Sequence, residues 1–119
     1  MKLIGSRTEQ QMREELVRSN LALRDGSHDR LVKALELANV NVNVAGAYIL
    51  NWIPEQVEDI YAVLVSVGEV VTVEVPRGEG QVLIDREELV KYEGKCSKIQ
   101  RLKIAVARDL LECVYSNKT

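Results

Sequence analysis

Three carboxylates lie close together in the stretch LNWIPEQVEDIY, residues 50–61, at Glu55, Glu58 and Asp59. If they converged in a loop, mutual repulsion would raise the pKa of one of them, as a general acid requires. On a strand, the neighbours Glu58 and Asp59 would instead point to opposite faces. A hydrolase or isomerase that uses a carboxylate pair is therefore one hypothesis, and a solvated or partner-binding loop is the alternative.

The other residues that could carry chemistry are few and scattered. The single histidine, His28, follows Ser27 where a helix is predicted to begin, so we expect Ser27 to be the cap and His28 its exposed neighbour. Cys96 and Cys113 are seventeen residues apart, so no zinc-ligand spacing is present. No glycine-rich loop carries the lysine of a phosphate-binding motif. We therefore predict no catalytic, metal-binding or cofactor-binding residue.

The cysteines and the first residues bear on the cellular location. Cys96 and Cys113 both fall on the predicted last helix, too far apart for a disulfide, so we expect reduced thiols. The opening MKLIGSRTEQ has too short an apolar part for a secretory signal. No apolar run approaches the roughly 20 residues that span a bilayer. The sequence thus predicts a cytoplasmic protein that makes no membrane contact.

The aromatic residues allow two interpretations. The chain has no Phe, one Trp and four Tyr. Tyr48 and Trp52 are four apart on a predicted strand, which places them on one face, and Tyr61 begins the next strand. They either anchor an otherwise aliphatic core, or Trp52 lies partly exposed beside the carboxylates as the anchor of an interface.

Helical patterns occupy the start of the chain. Thr8 and Gln11 fit a capping box, which predicts a helix over residues 9–24. A second apolar stripe predicts a helix over 28–39, and together the two form an αα-hairpin. The sequence leaves open whether residues 1–26 pack on the rest of the single domain that 119 residues provide.

Period-two and β-branched segments fill the middle of the chain. Strands are predicted at 48–53, 57–66, 70–76 and 82–84, and the alternation at 39–44 indicates the start of a strand. A short helix over 86–93 and a long one over 96–115 follow. The predicted fold is α+β: an αα-hairpin, a three- to four-stranded antiparallel meander, then a short helix and a long C-terminal helix packed on one sheet face, with the other face open.

The predicted last helix has more apolar surface than one contact needs. Its stripe is wider than the roughly 100° that a surface helix usually buries. Beyond the sheet, it would need another helix of this chain or the same helix of a second subunit to cover it. Self-association through the C-terminal helix is therefore one prediction.

Charge is distributed unevenly along the chain. Residues 40–94 carry three basic and ten acidic side chains, whereas residues 95–119 carry six basic and two acidic ones. Either the last helix neutralises the sheet within the molecule, or the sheet offers an acidic surface to a basic partner. The pI of about 5.5 argues against nucleic-acid binding.

The sequence favours a non-catalytic protein-interaction domain that presents an acidic sheet and loop to a basic protein surface. By analogy with small acidic proteins that neutralise nucleases, it would be of the inhibitor or immunity type. The alternative is a homo-oligomeric structural or small-ligand-binding domain. The predicted partner-binding residues are Trp52, Glu55, Glu58, Asp59, Tyr61 and Glu74.

Overall fold

The computed structural model describes residues 2–40 and 46–116, with side chains described for 8–40 and 46–112. The predicted start of a strand at 39–44 lies largely outside these residues, as does the side chain of Cys113. The elements are, in chain order, α1 (Lys2–Arg24), α2 (Asp29–Leu37), β1 (Tyr48–Pro54), β2 (Glu58–Ser66), β3 (Glu69–Pro76), β4 (Leu83–Glu88), α3 (Leu89–Glu93) and α4 (Lys98–Ser116).

The sheet is the predicted antiparallel meander. Its four strands pair in the order β1–β2–β3–β4. β4 is longer than predicted, because Glu87 and Glu88 still pair with Val70 and Glu69 of β3. The short helix expected from residue 86 therefore begins only at Leu89. The α+β class, the meander and the helix order are confirmed.

Both faces of the sheet are covered where β2 and β3 are wholly apolar. On one side, which we call the α2 face, Leu31 and Leu35 of α2 join a buried cluster with Val63, Val71 and Val73.

On the opposite side, the α4 face, Leu16 of α1 and Ile104 and Leu111 of α4 cluster with Leu64 and Val70. The expectation of one entirely open face is wrong. Residues 61–65 are all buried, so side chains of both alternating sets are removed from water and each set requires a cover.

Helix α1 packs against the body of the domain. Met12, Leu16 and Leu23 are buried, and α1 contacts both α4 and β1. The ion pairs Arg13–Asp109 at 3.0 Å and Lys103–Glu15 at 3.3 Å flank the α1–α4 contact. The remaining apolar surface of α4 is thus covered, at least in part, by another helix of the same chain.

A capping box forms at the start of α4 rather than in α1. The Ser97 amide donates to Gln100 Oε1 at 2.8 Å, and the Gln100 amide donates to Ser97 Oγ at 3.2 Å. The box predicted at Thr8 and Gln11 is wrong, since α1 begins at Lys2 and runs through both residues. The same spacing signals a helix start only where the chain before it is not already helical.

Substitutions of two leucines in α2 test whether this helix covers the α2 face of the sheet. Leu35 is 0% exposed and Leu37 is 78% exposed. We expect Leu35→Ala to lower the free energy of unfolding by about 3 kcal/mol, because it removes buried methyl groups and leaves a cavity. Leu37→Ala should change it by less than about 0.5 kcal/mol. Urea unfolding measures both, and equal small effects would show that α2 does not cover the sheet.

Candidate functional site

A β-bulge in β1 decides which way Trp52 faces. Ile49 pairs with Val63, but Asn51 already pairs with Ala62, so one extra residue is accommodated at Leu50. The side-chain alternation therefore shifts by one residue. Trp52 comes to lie opposite Tyr61 on the α2 face.

Tyr48 and Leu50 belong instead to the cluster on the α4 face. The expectation that Tyr48 and Trp52 share one face is wrong for this reason. Tyr48 is a buried core residue, whereas Trp52 is 50% exposed. The two interpretations of the aromatic residues thus apply to different members of the set.

Three rings meet at the edge of the α2 face. Trp52 stacks on Tyr61, with ring centroids 5.7 Å apart and planes at 11°. His28 lies edge-on to both, with centroids 5.5 Å from each. The Tyr61 hydroxyl and His28 Nδ1 are 3.3 Å apart, within hydrogen-bond distance. We call these three residues the aromatic cluster.

The prediction for Ser27 and His28 is wrong. The Ser27 amide and hydroxyl both donate to Asp25 Oδ1, at 2.9 and 2.5 Å, which lowers the pKa of the Asp25 carboxyl. His28, not Ser27, occupies the N-cap position of α2, and its side chain makes no capping bond. It is half-buried against Trp52 and Tyr61, a contact between residues more than twenty positions apart that no local pattern indicates.

Asp59 fixes the polar side of the aromatic cluster. Its Oδ1 accepts bonds from Arg77 at 3.0 Å and from Trp52 Nε1 at 3.2 Å. The hydrogen bond from Arg77 holds the pKa of Asp59 below its usual value, and that from Trp52 adds to the effect. Burial and the nearby Asp59 charge raise the pKa of Tyr61. Asp59 is therefore kept ionised and orients the indole, the opposite of the raised pKa that a general acid requires.

Arg77 is a site residue that was not predicted from the sequence, although the sequence contained a signal for it. Asp59 pairs with Val75 in the β2–β3 register, and Arg77 lies two positions further along. Diagonal neighbours of this kind are within reach of a long side chain. The predicted hairpin would have placed Arg77 beside Asp59.

The six predicted partner-binding residues divide between the two sides of the sheet. Trp52, Asp59 and Tyr61 come together on the α2 face. Glu58 and Glu74 lie on the α4 face, because Glu58 alternates with Asp59 and Glu74 pairs with Ile60.

Glu55 lies in the β1–β2 turn, exposed, and its amide donates to the Glu58 carbonyl oxygen at 2.8 Å. Because Glu58 and Asp59 point to opposite faces of the sheet, their carboxylates do not form a pair.

The far half of the α4 face is open. Ile53, Ile60, Glu74 and Leu83 follow one another directly across the four strands. Ile53 is 45% and Leu83 55% exposed. Together with the flanking carboxylates they form what we call the acidic half-face: Ile53, Glu58, Ile60, Glu74, Leu83 and Asp85.

The ion pairs among the described residues leave out the carboxylates of the acidic half-face. Among the residues whose side chains are described, Glu58, Glu74 and Asp85 form no ion pair. Arg77, Arg86 and Lys95 pair instead with Asp59, Glu69 and Glu87.

The bond from Arg86 lowers the pKa of Glu69, and the Glu69 carboxylate raises that of Arg86. In the described part of α4, the ion pairs formed by Lys103 and Asp109 are with α1, not with the sheet. Neutralisation of the sheet by the last helix therefore does not reach the acidic half-face within the described residues.

Two other potentially reactive side chains, Cys96 and Tyr92, have raised pKa values. Cys96 Sγ is 3.2 Å from the Tyr92 carbonyl oxygen, and burial raises the pKa of its thiol, which disfavours the nucleophilic thiolate. Burial likewise raises the pKa of Tyr92 to about 12.

The described residues include no group of three or more His, Cys, Asp or Glu that could hold a metal ion. None of the helices, as far as they are described, is long and apolar enough to cross a membrane.

Comparisons with known proteins give no family for this chain. No protein-family model matches it, and neither the curated proteins nor the solved structures yielded a significant match. The function of the protein must therefore be inferred from the geometry of the chain itself.

The Asp59–Arg77 pair should make stability depend on pH in the acid range. The folded-state pKa of Asp59 lies below its ordinary value of 3.8, so its stabilising contribution is present above that pH and is lost as the pH falls through the folded pKa. We expect the difference in unfolding free energy between wild type and Asp59→Asn to be constant near neutrality and to shrink below about pH 4. Urea titrations across this range measure it.

Asp85→Asn is the control for simple removal of an aspartate, because Asp85 is exposed and unpaired among the described side chains. An Asp59→Asn difference that stayed the same from neutral to acid pH would contradict the role of the ionised carboxylate.

Proposed function

We propose that this protein is a non-catalytic interaction domain of the inhibitor or immunity type, whose acidic half-face docks on a basic surface of another protein. One observation carries the proposal: carboxylates that form no ion pair with the described residues surround exposed aliphatic side chains on paired strands. Glu58, Glu74 and Asp85 supply the charge. Ile53 and Leu83 supply exposed apolar area.

The combination of apolar and charged groups is what supports docking. Exposed aliphatic side chains gain free energy when a partner removes them from water. Charges around them raise the association rate and select a partner of opposite sign. Because the side chains stand on paired strands, little backbone entropy is lost when a partner binds.

The same charges favour a different protein over a second copy as the partner. In a twofold dimer through the acidic half-face, each carboxylate would meet carboxylates of the other subunit. On α4, Ile104, Val106 and Leu111 are buried within their own domain, and Ile99 is the largely exposed aliphatic residue of the described part of that helix. The intramolecular contact thus takes up apolar surface that self-association would need.

Charge reversal tests the proposal. The triple variant Glu58→Lys, Glu74→Lys and Asp85→Lys reverses the acidic half-face, whereas Glu9→Lys, Glu36→Lys and Glu112→Lys makes the same charge change on exposed helix positions. We expect a basic protein captured by wild type from its host extract to be captured by the control and not by the half-face variant. With that protein purified, the association rate should fall about tenfold or more and lose its salt dependence. Equal binding by both variants would contradict the proposal.

Leu83→Asp separates the apolar contribution from the electrostatic one. This change makes the surface more acidic and removes an aliphatic side chain that is 55% exposed. If both contributions matter, the dissociation rate for the same partner should rise even though the surface gains negative charge. Tighter binding by Leu83→Asp would show that charge alone governs recognition.

A further inference from the structure

A groove beside the aromatic cluster lies at the outer edge of β1. It has a volume of about 410 Å³ and is bounded by α1, β1, α4 and His28, the residue that precedes α2. Its lining shares no residue with the acidic half-face. The volume is within the range of roughly 300–1,000 Å³ that small-molecule sites occupy.

The groove gathers cations in a protein whose net charge is −2. Among the described residues, Arg18 and Lys103 line it together with one carboxylate, Glu15. Lys103 Nζ is 3.3 Å from Glu15 Oε2, and its side chain is 23% exposed.

Arg18 is held only loosely, since its nearest carboxylate, Glu14, is 3.9 Å away and the Arg18 side chain is 76% exposed. Its guanidinium is therefore available to an incoming anion at little cost in lost contacts.

The groove also has a rigid aromatic wall. Trp52 lines it while half-exposed, and its indole is fixed by the stack on Tyr61 and the hydrogen bond to Asp59. The half-buried residue Asn51 also lines the groove, and its side-chain amide forms no hydrogen bond with the described residues. A flat ring placed against the indole would meet a surface already ordered before binding.

We propose that this groove binds a small organic anion with a flat ring, whose ring lies against Trp52 and whose carboxylate or phosphate pairs with Arg18 and Lys103. Glu15 competes with the ligand for Lys103. The amide of Asn51 supplies a further donor beside the anion. This site is separate from the acidic half-face and does not depend on the function proposed for it.

Trp52 makes the site directly observable, because it is the only tryptophan in the chain. Two probes distinguish the anionic groups: benzoate carries a ring and a carboxylate, and adenosine monophosphate carries a ring and a phosphate. Benzyl alcohol and adenosine are their uncharged counterparts. We expect at least one anion to change Trp52 fluorescence saturably and its uncharged counterpart not to do so. No saturable change with either anion, or an equal change with the uncharged compound, would overturn the proposal.

Three variants should change the Kd of the anion in opposite directions if the site is as described. Arg18→Gln and Lys103→Gln should each raise the Kd of the binding anion about tenfold, the loss of one charge-assisted hydrogen bond. Glu15→Gln should lower it, because Lys103 is released from its carboxylate. If the Lys103–Glu15 pair were purely structural, Lys103→Gln and Glu15→Gln would bind the anion with the same Kd. That result would overturn the proposal.

Arg108→Gln is the matched control, since Arg108 is exposed on the same helix as Lys103 and does not line the groove. Its Kd should equal that of wild type. If Arg108→Gln weakened binding as much as Lys103→Gln, attraction would come from overall charge and the proposed site would be wrong. Circular dichroism of each variant verifies that the fold is retained.

Discussion

Over residues 61–65 of β2 and the part of β3 beside them, the sheet is buried on both sides, and the rest of the fold follows from the need to cover both. Val63 and Leu64 are adjacent, point to opposite faces and are both 0% exposed. A single helical layer cannot achieve this. α2 therefore covers one face and α4 the other, while α1 contributes Leu23 to the first cluster and Leu16 to the second. Lys103 and Asp109 of α4 consequently form their ion pairs with side chains of α1.

The helices cover the α4 face over only part of the length of the strands. Where this cover ends, the side chains of β3 on that face become polar. Val70, on the covered part, is buried, whereas Thr72 and Glu74, further along the same face, are only half-buried. Carboxylates are tolerated at this end because they stay in contact with water, which keeps their desolvation cost small. The exposed aliphatic side chains beside them, Ile53 and Leu83, have no such explanation within the chain, which is why we propose a docking role for this surface.

Much of the architecture could be predicted from the sequence, because it depends on local periodicity. Four strands, a meander and helices at both ends all follow from patterns of period two and 3.6. The hairpin register would also have given the Asp59–Arg77 pair. The errors arose where a local signal competed with a stronger neighbour: the Thr8–Gln11 box lay inside a longer helix, and β4 extended through residues that read as helical.

For the candidate sites, the sequence by itself determined which groups were available: one tryptophan, one histidine and an acidic middle segment. Only the tertiary structure decided how they are grouped. The bulge at Leu50 turned Trp52 from the face of Tyr48 to that of Tyr61, and strand alternation sent Glu58 and Asp59 to opposite sides. His28 joined the aromatic cluster through packing of α2 on the sheet. Such contacts depend on where helices settle on a covered face, which is governed by long-range burial that one-dimensional periodicity does not encode.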